Sequence, residues 1–267
     1  MGNPIKSLLR MNPRVFDLAK GCQMLFAKKD ATWKFFDTFS RAHGRRATFL
    51  YIGANDGLRS DPIRYFIVRD QWQGILVEPL PDVFLSLKSN FSYLKKSRLV
   101  FVNAAISSDN SANLSFWTFD DKFLNTLNPE ERINYLRKSS FDRNHVRQFL
   151  DLNKLSEDVL MEIRVPCLTV SALVREYWNS DPINLIVMDA EGHEASIIPS
   201  IDFKEINPEG IYFESHNLGP NKARVYDHLK QNGYHVYEVG GDSIALQKAS
   251  PLAGKLYLGN SSAAAVD

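Results

Sequence analysis

The sequence predicts an α/β fold, with a mostly parallel sheet, helices on both faces and an antiparallel terminal strand. Three observations predict it. From Thr48 onward, short apolar strand-like runs alternate with helical stretches, the rhythm of parallel βαβ units with right-handed crossovers. The first run, FLYI, breaks directly into a loop that contains Gly53 and Gly57. The last two runs, HVYEV and SIALQ, are joined only by Gly240-Gly241-Asp242, a tight hairpin that turns the final strand antiparallel.

The elements follow in order. Val15, Leu18, Leu25, Phe26, Trp33, Phe36 and Phe39 recur at helical spacing and predict one or two amphipathic helices packed on the sheet or its ligand edge. Strands are expected at 48–52, 74–77, 99–105, 113–118, 162–168, 184–188, 210–213, 234–238 and 244–247. Helices are expected at 63–69, 82–90, 170–177, 194–198 and 223–232. Between 119 and 161 the rhythm stops. This charge-rich segment carries two short helical patterns, LNPEERINYLRK and NHVRQFL, and is too long for a plain connection. It reads as an inserted lid or substrate-recognition element. The organisation is thus a helical extension over 1–47, one domain over 48–250 with its insertion, and a disordered tail over 251–267 that ends GNSSAAAVD.

Composition bounds the function. The 267 residues are 44% hydrophobic and 24% charged, enough for a sizeable core. A formal net charge of +1 argues against nucleic-acid binding through a general basic surface. No apolar run reaches membrane-spanning length. The first residues lack the apolar stretch of a signal peptide, and Met1-Gly2 with Ser7 is off the myristoylation pattern. Cys22 and Cys167 have no metal-ligand spacing and read as reduced, buried thiols, which points to a cytoplasmic protein.

The chemistry gathers at the predicted carboxyl ends of the strands, where open sheets place their ligands. In Gly53-Ala54-Asn55-Asp56-Gly57 the glycines allow close backbone approach, and the next run ends in a single acid, Glu78, followed by Pro79. That pairing suits an adenosyl ligand whose ribose hydroxyls donate to the acid. The spacing matches neither a triphosphate loop nor the dinucleotide G-x-G-x-x-G, so S-adenosylmethionine is the expected cofactor. Asn103 and Ala104 open a third loop whose small residues suit an adenine. The run INLIVMDAEGHE brings Asp189, Glu191, His193 and Glu194 to a strand end, and IYFESHNLG adds Glu214, His216 and Asn217. Buried carboxylates need a partner such as a cationic cofactor, a metal or a helix N-terminus. Asp189, Glu191, His193, Glu214 and His216 are therefore the candidate catalytic residues, with either histidine as base. Should a divalent metal such as Mg²⁺ bind, its expected ligands are Asp189, Glu214 and His216.

A mostly parallel sheet closed by an antiparallel hairpin is the class I methyltransferase form of a Rossmann-like sheet. The pieces YIGANDGLRSDPI, GILVEPLPDVFLSL, VNAAIS, VPCLTVSALV, NLIVMDAEGHEASII, IYFESHNLG and GYHVYEVGGDSIAL together resemble the FkbM family of S-adenosylmethionine-dependent methyltransferases. The resemblance runs from about Phe49 to Gln247. It implies a cofactor held by the glycine loop and Glu78, and methyl transfer usually to an oxygen of a small-molecule or glycan acceptor. His193 stands where the family often has a small or aromatic residue. The extension and the insertion match no functional element of the family. A nicotinamide-dependent oxidoreductase and a catalytically silent scaffold are the competing readings. Loop spacing and the terminal hairpin speak against the first, and Glu78 with the Asp189 cluster against the second.

Overall fold

The computed structural model describes residues 12–27, 29–95, 98–110, 113–179 and 181–253. The expectations for residues 1–11, and for the tail over 254–267, fall outside them.

Two helices lead into the sheet. Helix α1 (Pro13–Phe26) starts with Pro at its first turn, and the Asn12 side chain accepts from the Arg14 and Val15 N–H groups. Helix α2 (Ala31–Ala42) is capped by Asp30, which accepts from Trp33 N at 2.7 Å. The two helices differ in depth. Phe35, Phe36 and Phe39 of α2 are wholly buried, each contributing roughly 1.5–3 kcal/mol. On α1, Leu18, Phe26 and the Cys22 thiol are exposed, so the expectation of two buried cysteines holds for Cys167 alone. These three positions, four residues apart, share one helix face, which is turned to solvent.

The main sheet has seven strands in the order β3-β2-β1-β8-β9-β11-β10. They are β1 (Thr48–Ile52), β2 (Gln73–Val77), β3 (Leu99–Val102), β8 (Leu185–Met188), β9 (Gly210–Glu214), β10 (Tyr234–Val239) and β11 (Asp242–Gln247). All neighbours pair in parallel except β11, which is antiparallel to both β9 and β10. The hairpin therefore folds back into the sheet, and β10, not the last strand, forms the edge. Strand β1 is buried at every position because both faces are covered, hence its uninterrupted apolar run.

One face carries Leu50, Ile52, Ile186 and Ile211 against α8 (Val170–Tyr177), α9 (Glu194–Ser200) and α10 (Lys222–Gln231). The other carries Phe49, Tyr51, Leu76 and Val187 against α2, α3 (Arg64–Arg69) and α4 (Pro81–Phe91). Trp72 is fully buried on this side, stacked on Phe66 at 5.6 Å, with its indole N–H donating to Ser40 Oγ at 3.0 Å.

Two expected strands are split. The 99–105 run divides at Asn103 into β3 and β4 (Ala105–Ile106). The 162–168 run divides at Pro166, which has no N–H for a ladder, into β6 (Leu160–Val165) and β7 (Cys167–Leu168). Strand β4 pairs with β7, and β5 (Leu114–Phe119) pairs with β6 in a separate antiparallel ribbon. The segment between β5 and β6 holds α5 (Asp121–Leu124), α6 (Pro129–Leu136) and α7 (Arg143–Leu152). Helix α6 opens with a capping box between Asn128 and Glu131. Phe119, Leu124, Leu136, Val146 and Leu150 give the segment a small core of its own.

Candidate active site

The site forms where β1, β2 and β8 end. The Gly53 and Ala54 N–H groups donate to Val77 O at 3.0 and 2.9 Å, so the loop turns back over β2. Gly53 has φ +73°, and a Cβ there would fall 1.9 Å from Asp189 O. Only glycine satisfies both conditions. The next residue but one, Asn55, donates its N–H to Glu78 Oε2 at 3.0 Å, and Leu80 N donates to Glu78 Oε1 at 3.0 Å. Glu78 is 5% exposed, and no cation pairs with it among the described residues. Burial pushes its carboxyl up to about 7; the two N–H groups pull it down, while Asp189 and Asp56 add to the rise.

Above this acid lies a cleft with about 590 Å³ of empty space, open solvent included. Ala104, Ile106 and Phe116 give it apolar lining, and Gly53, Asp189 and Glu191 line it as well. The lining chemistry fits S-adenosylmethionine. An apolar slot suits an adenine, an uncompensated buried carboxylate suits a diol, and Asp189 suits a sulfonium or ammonium charge.

The loop after β8 is tightly wound, with Glu191 at φ +48° and Gly192 at φ +93°. The Asp189 carboxylate makes no hydrogen bond among the described residues; burial and then Glu191 push it up to about 6. Glu191 is engaged on both oxygens, with Lys138 Nζ at 2.6 Å, His145 Nε2 at 2.9 Å and Asn217 Nδ2 at 3.3 Å. Burial pushes its carboxyl up, but His145 and Lys138 outweigh that and hold it below the usual carboxylate range. Ser140 Oγ donates to Glu191 O at 3.2 Å. These contacts fasten the insertion to the strand end.

His193 does not line the cleft but packs behind a residue that does. Its ring lies 4.4 Å from Phe141, its Nε2 is buried without a partner, and burial pushes its pKa down to about 4. Glu194 is fully buried; one oxygen accepts from Ala190 N, the other has no partner, and burial pushes it up to about 8. Glu214, at the end of β9, accepts from Asn217 Nδ2 at 2.7 Å and has His216 Nδ1 at 3.5 Å. Burial, Asp189 and Glu191 push it up to about 7.

The structure thus brings Gly53, Asn55, Glu78, Pro79, Ala104, Asp189 and Glu191 to the cleft. It turns two other candidates, Asp56 and Asn103, toward the backbone. Asp56 accepts from the Leu58 and Arg59 N–H groups at 3.0 Å each and pairs with the Arg59 guanidinium. Asn103 donates to Glu78 O and Pro79 O at 2.8 and 3.0 Å, fixing the acid's backbone. Ala54 is packed in the core, and Gly57 backs onto Phe91. The expected metal ligands Asp189, Glu214 and His216 do not converge; among the described residues no three His, Cys, Asp or Glu side chains form a metal-binding group.

Several site residues lay beyond the sequence reading. Leu136, Arg137, Ser139 and Phe141 from the insertion line the cleft. Arg64 is buried behind the glycine loop; it donates to Gly57 O at 2.6 Å and to both oxygens of Asp17 on α1 at 2.8 Å. No local sequence signal marks either set.

Comparison with known families matches the Methyltransferase FkbM domain to residues 52–236. Comparison with curated protein sequences returns no match. Among solved structures, the chain is similar to the fibrillarin pre-rRNA processing protein of Methanococcus jannaschii. The two are 10% identical over 77% of this chain and 68% of that one, with a TM-score of 0.38. It is also similar to precorrin-6y C5,15-methyltransferase of Geobacter metallireducens, 11% identical over 76% of this chain and 81% of that one, with a TM-score of 0.37. No helix among the described residues is long and apolar enough to cross a membrane. The domain match covers more than half of the chain and agrees with the sheet order and the cleft: the chain belongs to the FkbM methyltransferase family, and its cofactor is S-adenosylmethionine.

Proposed function

We propose that this methyltransferase acts on a hydroxyl oxygen of a sugar, glycan or other natural-product acceptor. The observation that carries the reading is Glu214. Its carboxyl, raised to about 7, is oriented by Asn217 at 2.7 Å and stands with Asp189 at adjoining strand ends. A hydroxyl acceptor must lose a proton during transfer, and a carboxylate that titrates near neutrality is suited to take it.

When bound, S-adenosylmethionine would supply an electrophilic methyl group on a sulfonium centre. Glu78 would accept from its ribose hydroxyls through the remaining lone pairs, with Gly53 and Asn55 on the methionyl side, Ala104 and Pro79 on the adenine side and Asp189 toward the positive charge. Glu214 would take the proton of the acceptor hydroxyl as that oxygen accepts the methyl group. His216, whose side chain is 56% exposed, passes the proton on to solvent. Glu191 positions the insertion, and Asp56, Gly57 and Asn103 hold the loops from behind.

Turnover is measured as S-adenosylhomocysteine produced with a panel of sugars and phenols, and products are read by mass and NMR. Glu214→Gln is expected to lower turnover about 100-fold or more while leaving S-adenosylhomocysteine affinity within about twofold. Full activity in this variant, or a product methylated on nitrogen, contradicts the proposal.

A further inference from the structure

Beside the cofactor cleft, and sharing Asp189 with it, lies a second pocket with about 380 Å³ of empty space, open solvent included. Strands β1, β9 and β11 supply Tyr51, Tyr212, Glu214 and Asp242 to its lining, and the loop after β8 supplies Asp189. Ser60 and Pro62, just past the glycine loop, complete it on one side. Three carboxylates line the pocket, and no Lys, Arg or His does. The nearest positive groups act from outside: Arg137 and Lys138 on Asp189, and His216 on Asp242.

Two groups there lack partners. Tyr51 is only 3% exposed, yet its hydroxyl has no hydrogen-bond partner among the described residues. Asp61, between the lining residues Ser60 and Pro62, uses Oδ1 to accept from the Ile63 and Arg64 N–H groups, while its Oδ2 is buried with no partner. Tyr51 lines the pocket with its hydrogen-bonding capacity unused, and leaving the neighbouring Asp61 oxygen unpaired is costly. Tyr212, by contrast, is satisfied by donating to Asp242 Oδ2, which leaves Asp242 Oδ1 without a protein partner.

From this geometry we propose that the pocket receives a protonated primary amine carried by the acceptor, held by Asp189, Asp242 and the Tyr51 hydroxyl. An alkylammonium has three N–H donors, and these three groups offer three acceptors. The charge also balances: a cation offsets carboxylates whose mutual repulsion and burial push Asp189 and Glu214 upward. A neutral polyol would leave them uncompensated. The inference rests on the hydroxyl-directed reading above and sharpens it. An amine held as ammonium has no free lone pair, so its nitrogen is not a nucleophile, and the methyl group goes to a neighbouring hydroxyl facing Glu214.

The test begins with S-adenosylhomocysteine bound to the full chain. Three amines are each compared with a neutral isostere at about 20 mM and matched ionic strength: glucosamine with glucose, ethanolamine with ethylene glycol, and putrescine with 1,4-butanediol. Binding is read from the shift in thermal midpoint. At least one amine is expected to bind about tenfold more tightly than its isostere. Tyr51→Phe and Asp242→Asn are each expected to abolish that preference while leaving S-adenosylhomocysteine affinity within about twofold. Tyr51→Phe removes only an unpartnered hydroxyl, so it keeps the test intact if Asp242→Asn folds poorly.

The proposal is overturned if no amine exceeds its isostere, or if the preference survives in a folded variant. It is also overturned if Tyr51→Phe weakens S-adenosylhomocysteine about tenfold, because the pocket then holds the cofactor's own ammonium. Failure of the hydroxyl-directed reading is seen separately, as methylation on nitrogen.

Discussion

Gly53 and Asp189 approach so closely that a methyl group on Gly53 would lie 1.9 Å from the Asp189 carbonyl oxygen. The contact seals the ends of β1 and β8, and both residues line the cleft. Gly53→Ala must either part these strand ends or change φ from +73°. It is expected to cost about 3 kcal/mol or more in urea unfolding. Gly44→Ala is the control. Gly44 has φ +59° but nothing within 4 Å of an added Cβ, so only the backbone penalty of about 1–2 kcal/mol remains. Equal costs for the two variants would mean that the close approach does not matter.

The buried carboxyls make stability fall as pH rises. Glu194 is pushed up to about 8, Glu78, Asp61 and Glu214 to about 7, and Asp189 to about 6, each chiefly by burial. In each case the folded-state value lies above the unfolded one, so the folded state binds more protons between them. Their stabilising contribution is complete below about pH 4, the unfolded range, and is lost as pH rises to about 8. Unfolding free energy of the ligand-free protein is expected to drop between about pH 5 and about pH 8.5. Glu194→Gln keeps the acceptor for Ala190 N and removes the ionisation, so its drop is smaller. Parallel pH profiles for the two proteins would contradict this.

Glu191 works in the opposite sense. Lys138 and His145 hold its carboxyl below the usual range despite burial, so the latch is complete above pH of about 4.5 and weakens only in acid. Glu191→Gln is expected to cost about 1–2 kcal/mol at pH 7, because Lys138 is part exposed and screened. Limited proteolysis is expected to cut faster between Arg137 and Arg143 in this variant, where the insertion meets the strand end. Wild-type stability together with a wild-type cleavage rate would show that the ion pairs do not fasten the insertion.

Much of this arrangement could be read from the chain because its signals are local. The run TFLYI announces a strand covered on both faces, Gly240-Gly241 announces a hairpin, and an acid ending an apolar run announces Glu78. Direction is another matter. Sequence places Asp56 and Asn103 beside the ligand, but whether a polar side chain faces a ligand or a backbone group depends on neighbours that fold brings in. Both turned to the backbone. His193 lies on the right loop and still faces Phe141, a residue fifty-two positions earlier. Arg64, Lys138 and His145 escaped notice because their partners Asp17 and Glu191 are distant in sequence, and an ion pair between remote residues has no period.

The most direct measurement is calorimetric titration of the wild-type chain and its Glu78→Ala variant with S-adenosylhomocysteine. Micromolar binding by wild type, with affinity at least about tenfold weaker in the variant, is the predicted result, since Glu78 is proposed to meet the ribose and fixes the Asn55 and Leu80 N–H groups. No binding by wild type, or equal affinities, would contradict the assignment of this cleft to the cofactor.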